Sequence, residues 1–160
     1  MPETPQLLHT AIVIAVHAGL IGIGIRLIVI DARTHRLPNR IVLPVGAALL
    51  VLIGIEALAA GDASTLVRCL AGGVILGGFY AVLNLVGGGV GGGDVKLAAV
   101  IGLVLAWHGW QSLIVGAAAA FVLGAVYALA LMALRRANRT TRIAFGPWMI
   151  VGAVLGIAMG

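Results

Sequence analysis

Asp31 and Asp94 are two of the five acidic residues in this 160-residue chain. Each lies where a long apolar run meets a short polar one. A carboxylate at or inside a membrane edge is costly to keep, so acidic groups there point to function. Two carboxylates are also the minimum equipment for acid/base hydrolysis of a peptide bond. One takes a proton from water as it attacks the scissile carbonyl, and the other, protonated, donates toward the carbonyl oxygen. Neighbouring carboxylates do not both ionise readily, so one proton belongs to the pair.

Asp94 follows Gly87-Gly88-Gly89-Val90-Gly91-Gly92-Gly93 and opens Val95-Lys96-Leu97-Ala98-Ala99. At a helix N-terminus an aspartate caps free backbone N–H groups, and the helix dipole favours its charged form. Capping alone accounts for the aspartate but not for the glycines around it. Glycine permits positive φ and a close approach of backbone to a ligand. An extended substrate segment lying along Gly91, Gly92 and Gly93 would use both properties. Lys96 reads equally as a group orienting Asp94 or drawing in substrate, and as an interface anchor.

Asp31 opens the stretch Asp31-Ala32-Arg33-Thr34-His35-Arg36-Leu37-Pro38-Asn39-Arg40. Taken alone it reads as a helix-edge carboxylate paired with Arg33 or Arg36 among solvated headgroups. Pro38 and Asn39 then form the turn into the next helix, with proline fixing φ near its start.

Other chemistries find less support. His9, His17, His35 and His108 show neither an i,i+4 pair nor metal-motif spacing, so no metal site is expected. Cys69 is the single cysteine, which excludes an internal disulfide and a CxxC site. The glycine run is not a phosphate-binding P-loop, because no Gly-Lys-Ser/Thr follows it. No cofactor is expected.

The elements that must carry these residues are membrane spans. The chain is 62% hydrophobic, 9% charged and has a mean hydropathy of +1.18, which requires segments apolar all round. The pI near 10.7 does not point to nucleic acid, because basic residues beside apolar spans set membrane orientation. The expectation is an all-α, polytopic membrane protein forming a single domain over residues 1–160. Leu7–Ile30 lacks a basic stretch before it and reads as a first span that stays, not as a signal peptide.

Apolar segments run Leu7–Ile30, Ile41–Ala60, Leu66–Val86, Val95–Trp107, Ser112–Leu134 and Ile143–Met159. The first connector holds Arg33, Arg36 and Arg40, the third is followed by Lys96, and the fifth holds Arg135, Arg136, Arg139 and Arg142. The second has only Asp62, and the fourth has no formal charge; Arg68 alone lies near the wrong face. The positive-inside rule then puts connectors one, three and five in the cytoplasm and both termini outside. Val95–Trp107 is short, about 20 Å as a helix, and could be a re-entrant hairpin. Without a crossing, however, the four arginines of connector five would move outside. A crossing helix with a recessed cytoplasmic end is the better expectation, its glycine run lining a water-filled cavity.

Gly73 with Gly77, then Gly116, Ala120, Gly124 and Ala128, then Gly152, Gly156 and Gly160, recur at four-residue spacing. Such stripes let helices approach closely in lipid. Packing within the chain is expected ahead of a dimerisation stripe.

Three stretches, in order, resemble the type IV prepilin peptidase family of intramembrane aspartic proteases. Asp31 through Asn39 is similar to the family's first catalytic aspartate with its arginine-rich turn and Leu-Pro-Asn step. Gly91-Gly92-Gly93-Asp94-Val95-Lys96-Leu97 resembles the GxGD motif with its Val-Lys-Leu continuation. Phe145-Gly146-Pro147 resembles the Phe-Gly-Pro near the start of the last helix. The presenilin-like Tyr-Asp partner motif is absent.

The resemblance implies Asp31 and Asp94 as catalytic residues, with Gly91, Gly92, Gly93, Lys96, Pro38 and Asn39 shaping the site. It implies cleavage of prepilin or pseudopilin-like precursors at the cytoplasmic face of a prokaryotic inner membrane. Those substrates carry a short basic leader, a cleavage site after glycine and then a hydrophobic helix. Membrane lipids are further partners, through the connector-five arginines. Larger relatives carry a cysteine-rich insertion and N-methylate the new terminus. This sequence lacks those cysteines and resembles the compact form, so the resemblance does not extend to methyl transfer. Two competing readings are a proton-coupled transporter, which needs midplane acidic groups and repeat symmetry, and a non-catalytic assembly subunit built on the Gly/Ala stripes.

Overall fold

Every regular element in the computed structural model is an α-helix among the described residues, which are 3–87, 90–136 and 144–160. Gly88 and Gly89 of the glycine run, Arg139 and Arg142 of the basic connector, Ile143 and the His9 side chain lie outside the described residues. The helices are α1 Glu3–Thr34, α2 Asn39–Ala60, α3 Ala63–Gly87, α4 Gly92–His108, α5 Trp110–Ala133 and α6 Gly146–Met159. Four of them, α1, α2, α3 and α5, are long and apolar enough to cross a membrane. The chain is an all-α, polytopic membrane protein. Side chains such as Leu58, Val74, Leu85 and Val86 are exposed on the outside of the bundle, as in helices whose outer face meets lipid.

α6 is shorter than the sequence suggested, and α4 is longer. α6 begins at Gly146 and has 14 residues, where a full span from Ile143 was expected. α4 has 17 residues, yet it traverses the bundle. Its first turn lies against the α1–α2 connection, where Gly93 meets Leu37. The last turn presents carbonyls of Ala106 and Trp107 to Arg68, 2.7 and 3.1 Å away, and the His108 ring lies 5.1 Å from that of His17. His17 is about 20 Å down α1 from Asp31 at the helical rise.

α4 is the central helix, packed on α2, α3, α5 and α6, with Leu97, Ala98 and the run from Ile101 to Trp107 buried. The connections gather in two sets. Those between α1 and α2, and between α3 and α4, share one end of the bundle with the start of α6. Asp62 and Gly109 mark the other end. Asp62 accepts hydrogen bonds from the Ser64 hydroxyl (2.6 Å), the Ser64 amide (2.9 Å) and the Thr65 hydroxyl (3.0 Å) at the start of α3. These bonds, the Ser64 hydroxyl first, hold its carboxyl below the ordinary carboxylate value.

The glycine stripes are consumed inside the chain. Gly77 lies on Ala99, Gly73 on Leu103 and Gly124 on the ring of Phe145. A Cβ on Gly152 would fall 2.6 Å from the Gly116 carbonyl oxygen and 2.7 Å from the Ala120 nitrogen. Both neighbours are backbone and cannot turn away. Gly152→Leu therefore forces α5 and α6 apart, at a cost of about 1–3 kcal/mol or more. Thermal unfolding in detergent should show a clearly lowered midpoint for this variant. Gly78→Leu, at a position with no atom within 4 Å, should stay near wild type.

Candidate active site

Asp31 lies inside α1 and does not open a connector as the sequence suggested; the helix continues to Thr34. The His35 N–H on the Asp31 carbonyl (2.8 Å) closes it. His35 adopts φ 51°, a left-handed conformation that histidine tolerates better than most residues. The Asp31 side chain is 4% exposed, and its Oδ2 accepts the Gly146 N–H at 3.0 Å. It is thus not the solvated partner of Arg33 or Arg36, both of which are exposed. An α-helical N-terminus donates into this carboxylate, as helix starts do for anions generally.

Asp94 occupies the first turn of α4, and its Oδ2 accepts the N–H of the capping residue Gly91 at 2.8 Å. This is the side-chain-to-cap half of a capping box. The capping role expected from sequence is therefore real, and it also fixes the carboxyl group. Gly91 is extended, with φ −80° and ψ 156°, and none of Gly91, Gly92 and Gly93 has positive φ. The requirement at Gly93 is close approach instead: a Cβ there would fall 2.9 Å from the Leu37 Cβ and 3.3 Å from the Leu37 nitrogen. The bare backbone of Gly93 lets the buried Leu37 lie against α4, which draws the end of α1 toward Asp94. Upstream, the Asn84 amide donates to the Val90 carbonyl and holds the loop to α3.

Pro38 is extended and caps α2, its carbonyl accepting the N–H groups of Ile41 (3.0 Å) and Val42 (3.2 Å). Lys96 turns to the Asn39 side chain, donating to Oδ1 at 2.8 Å. The lysine thus ties the start of α4 to the start of α2 and does not bond Asp94 directly.

All these elements close around one cleft of about 270 Å³. Asp31, Asp94, Gly91, Gly92, Gly93 and Asn39 line it, as do His35, Arg36 and Leu37. Of the residues expected in the site, Lys96 and Pro38 stand behind the wall as supports. Each carboxylate has one oxygen held by a backbone N–H, and both face the same small volume. Such an arrangement can hold a water and a peptide carbonyl between an acid and a base. Among the described residues no three His, Cys, Asp or Glu side chains converge as a metal cluster would require.

Sequence reasoning missed the Gly146 N–H as the partner of Asp31, and with it the aromatic support behind α6. Phe145 packs on Tyr80 and Phe121 with ring centroids 6.0 and 5.4 Å apart. The Phe-Gly-Pro triplet was the available signal. Its proline sits in the first turn of α6, and its glycine has a Cβ position only 2.6 Å from the Asp31 Oδ2.

Residues 11–129, which include both aspartates, match the type IV leader peptidase family. The chain belongs to that family. It is 32% identical to a prepilin leader peptidase/N-methyltransferase of Aeromonas salmonicida over 135 residues, covering 82% of this chain and 44% of the relative. A Dickeya chrysanthemi protein of the same description is 33% identical over 146 residues, 86% of this chain and 48% of the relative. An Escherichia coli one is 42% identical over 69 residues, 43% of this chain and 29% of the relative. The chain spans less than half the length of these curated relatives. No solved structure matches.

Proposed function

We propose that this chain is an intramembrane aspartic endopeptidase that removes the leader from type IV prepilin-like precursors. The observation that carries the reading is the shared cleft: two carboxylates far apart in sequence, on different helices, line one volume. Membership of the leader peptidase family supplies the substrate class. In the proposed mechanism Asp31 and Asp94 share one proton. The ionised carboxylate takes a proton from water as the water oxygen attacks the scissile carbonyl. The protonated carboxyl gives its proton to the carbonyl oxygen. Collapse of the tetrahedral species passes a proton to the leaving amine and restores the pair. The extended backbone at Gly91, with the glycines after it, offers a track for the substrate chain beside Asp94.

Orientation follows from charge. Arg33, Arg36, Arg40, Lys96, Arg135 and Arg136 belong to the end of the bundle that holds the cleft, and Asp62 to the other. The positive-inside rule then turns the cleft to the cytoplasm of a prokaryotic cell and both termini to the far side. A transporter would put its acidic pair near the midplane, whereas these aspartates stand at helix ends. The proposal extends to the peptidase activity of the relatives' paired name and not to N-methylation.

The test is leader removal by the purified chain, reconstituted alone in vesicles with a prepilin-type precursor, with the product identified by mass. A product shortened at its N-terminus supports the reading. An intact precursor, under conditions where a full-length relative cuts it, overturns it.

A further inference from the structure

A second hollow, of about 340 Å³, lies between α1, α2, α4 and α6. Leu97 and Ile101 of α4 and Ala153 of α6 form a buried floor. Gly19 and Leu27 of α1 stand on one side, and Pro44 and Ala48 of α2 on the other. Pro44 and Ala48 are exposed, so the hollow opens outward between α1 and α2 as a groove. Among the described residues the backbone of α1 comes close to those of α2 and α6 but not to that of α4, and the groove occupies the space this leaves between their side chains. Every lining residue is Gly, Ala, Val, Leu, Ile or Pro. A polar ligand would lose its hydration there and gain no partner.

Helical register joins this groove to the cleft. Asp94, Leu97 and Ile101 follow the three- and four-residue spacing that keeps side chains on one helix face. Leu20, Ile23, Leu27 and Asp31 do the same on α1. The groove therefore runs for about three turns, roughly 17 Å at the helical rise, down the faces that carry both carboxylates at their end. A polypeptide with its peptide bond at the carboxylates, continuing into the bilayer, passes along this line. In lipid such a segment must satisfy its own backbone, which makes it a helix. Gly19 and Ala48 are small enough to admit one closely.

We infer that the groove is the docking track for the apolar helix that follows the scissile bond in the chain being cut. The inference rests on the peptidase reading and adds the part of the substrate that is recognised. Its test fills the groove without disturbing the resting fold. A Cβ on Gly19 meets no atom within 4 Å, and the same is true of Gly22, which is outside the groove. Gly19→Leu and Ala48→Leu would be assayed beside Gly22→Leu in vesicles, on a prepilin-type precursor and on a soluble peptide that spans the same bond but ends before the helix. The two groove variants should lose at least about tenfold in kcat/KM on the precursor, mainly through KM. Their rate on the short peptide should stay within about twofold of wild type, whose own slower cutting of that peptide reports the lost helix contact. Gly22→Leu should match wild type on both.

Wild-type cutting of the precursor with no loss in either groove variant overturns the inference and leaves the peptidase reading standing. An uncut precursor with the wild-type chain sinks that reading instead. A photoreactive residue in place of Ala48, in an Asp94→Asn background, gives a readout independent of turnover. Capture of the precursor's apolar helix is expected; capture of lipid alone, or of a second copy of this chain, overturns the docking track.

Discussion

Asp31→Asn and Asp94→Asn should each lower leader removal by about 10²–10⁴-fold or more, the range supplied by a positioned acid or base. Each variant should insert and unfold like the wild type, because an asparagine oxygen can still accept the N–H that the carboxylate accepts now. For Asp31 that donor is Gly146, and for Asp94 it is Gly91. What asparagine cannot do is take up and return a proton. If the two carboxylates work as one unit, the double variant falls no further than the worse single one, as groups acting together are strongly non-additive. The measurement is kcat/KM on a prepilin-type precursor for all four proteins, with membrane insertion and thermal unfolding checked in parallel. Unchanged processing in one inserted variant removes that residue from the chemistry. Multiplicative losses in the double variant would instead describe two separate roles.

The helical class and the membrane setting were legible in the sequence, and both aspartates stood out as candidates, because each has a local signature. Apolar runs of spanning length announce helices in lipid, and a costly acidic residue beside them stands out against so sparse a charge background. The small-residue stripes were legible as packing surfaces, and Gly152 against Gly116 and Ala120 bears this out. What could not be read was which helix meets which. Asp31 looked like a residue of the polar connector because Arg33 and Arg36 follow it, yet α1 carries it one turn inside and buries it under α6. That contact joins residues 115 positions apart, and no periodicity reports such a pairing. Lys96 read equally as a group orienting Asp94 or drawing in substrate and as an interface anchor, whereas its partner is Asn39 at the start of α2. The glycines before Asp94 suggested positive φ and a close approach to a ligand; none of Gly91, Gly92 and Gly93 has positive φ, and the close approach at Gly93 is to Leu37.

Gly146→Ala should lower kcat/KM by about 10²-fold while leaving the bundle intact, the loss expected when a catalytic group is displaced by roughly 1 Å. The added methyl would fall 2.6 Å from the Asp31 Oδ2 and 3.2 Å from its Cγ, so either the carboxyl or α6 must move. α6 is the harder to shift. Phe145 is seated on Gly124, where a Cβ would meet its ring at 2.7 Å, and it is held between Tyr80 and Phe121. Tyr80 is itself 1% exposed. The carboxyl therefore yields, turning off the Gly146 N–H and out of register with Asp94. Alanine suits a first helical turn and Gly146 has no positive φ, so the thermal midpoint should change little. Gly78→Ala, where nothing lies within 4 Å, serves as the matched control. Full activity in Gly146→Ala would mean that the N–H contact does not set the working position of Asp31. A loss of activity together with a collapsed thermal midpoint would mean that the glycine serves packing alone. Loss of rate with the midpoint retained separates positioning from folding, and ties the start of the last helix to the chemistry of the first.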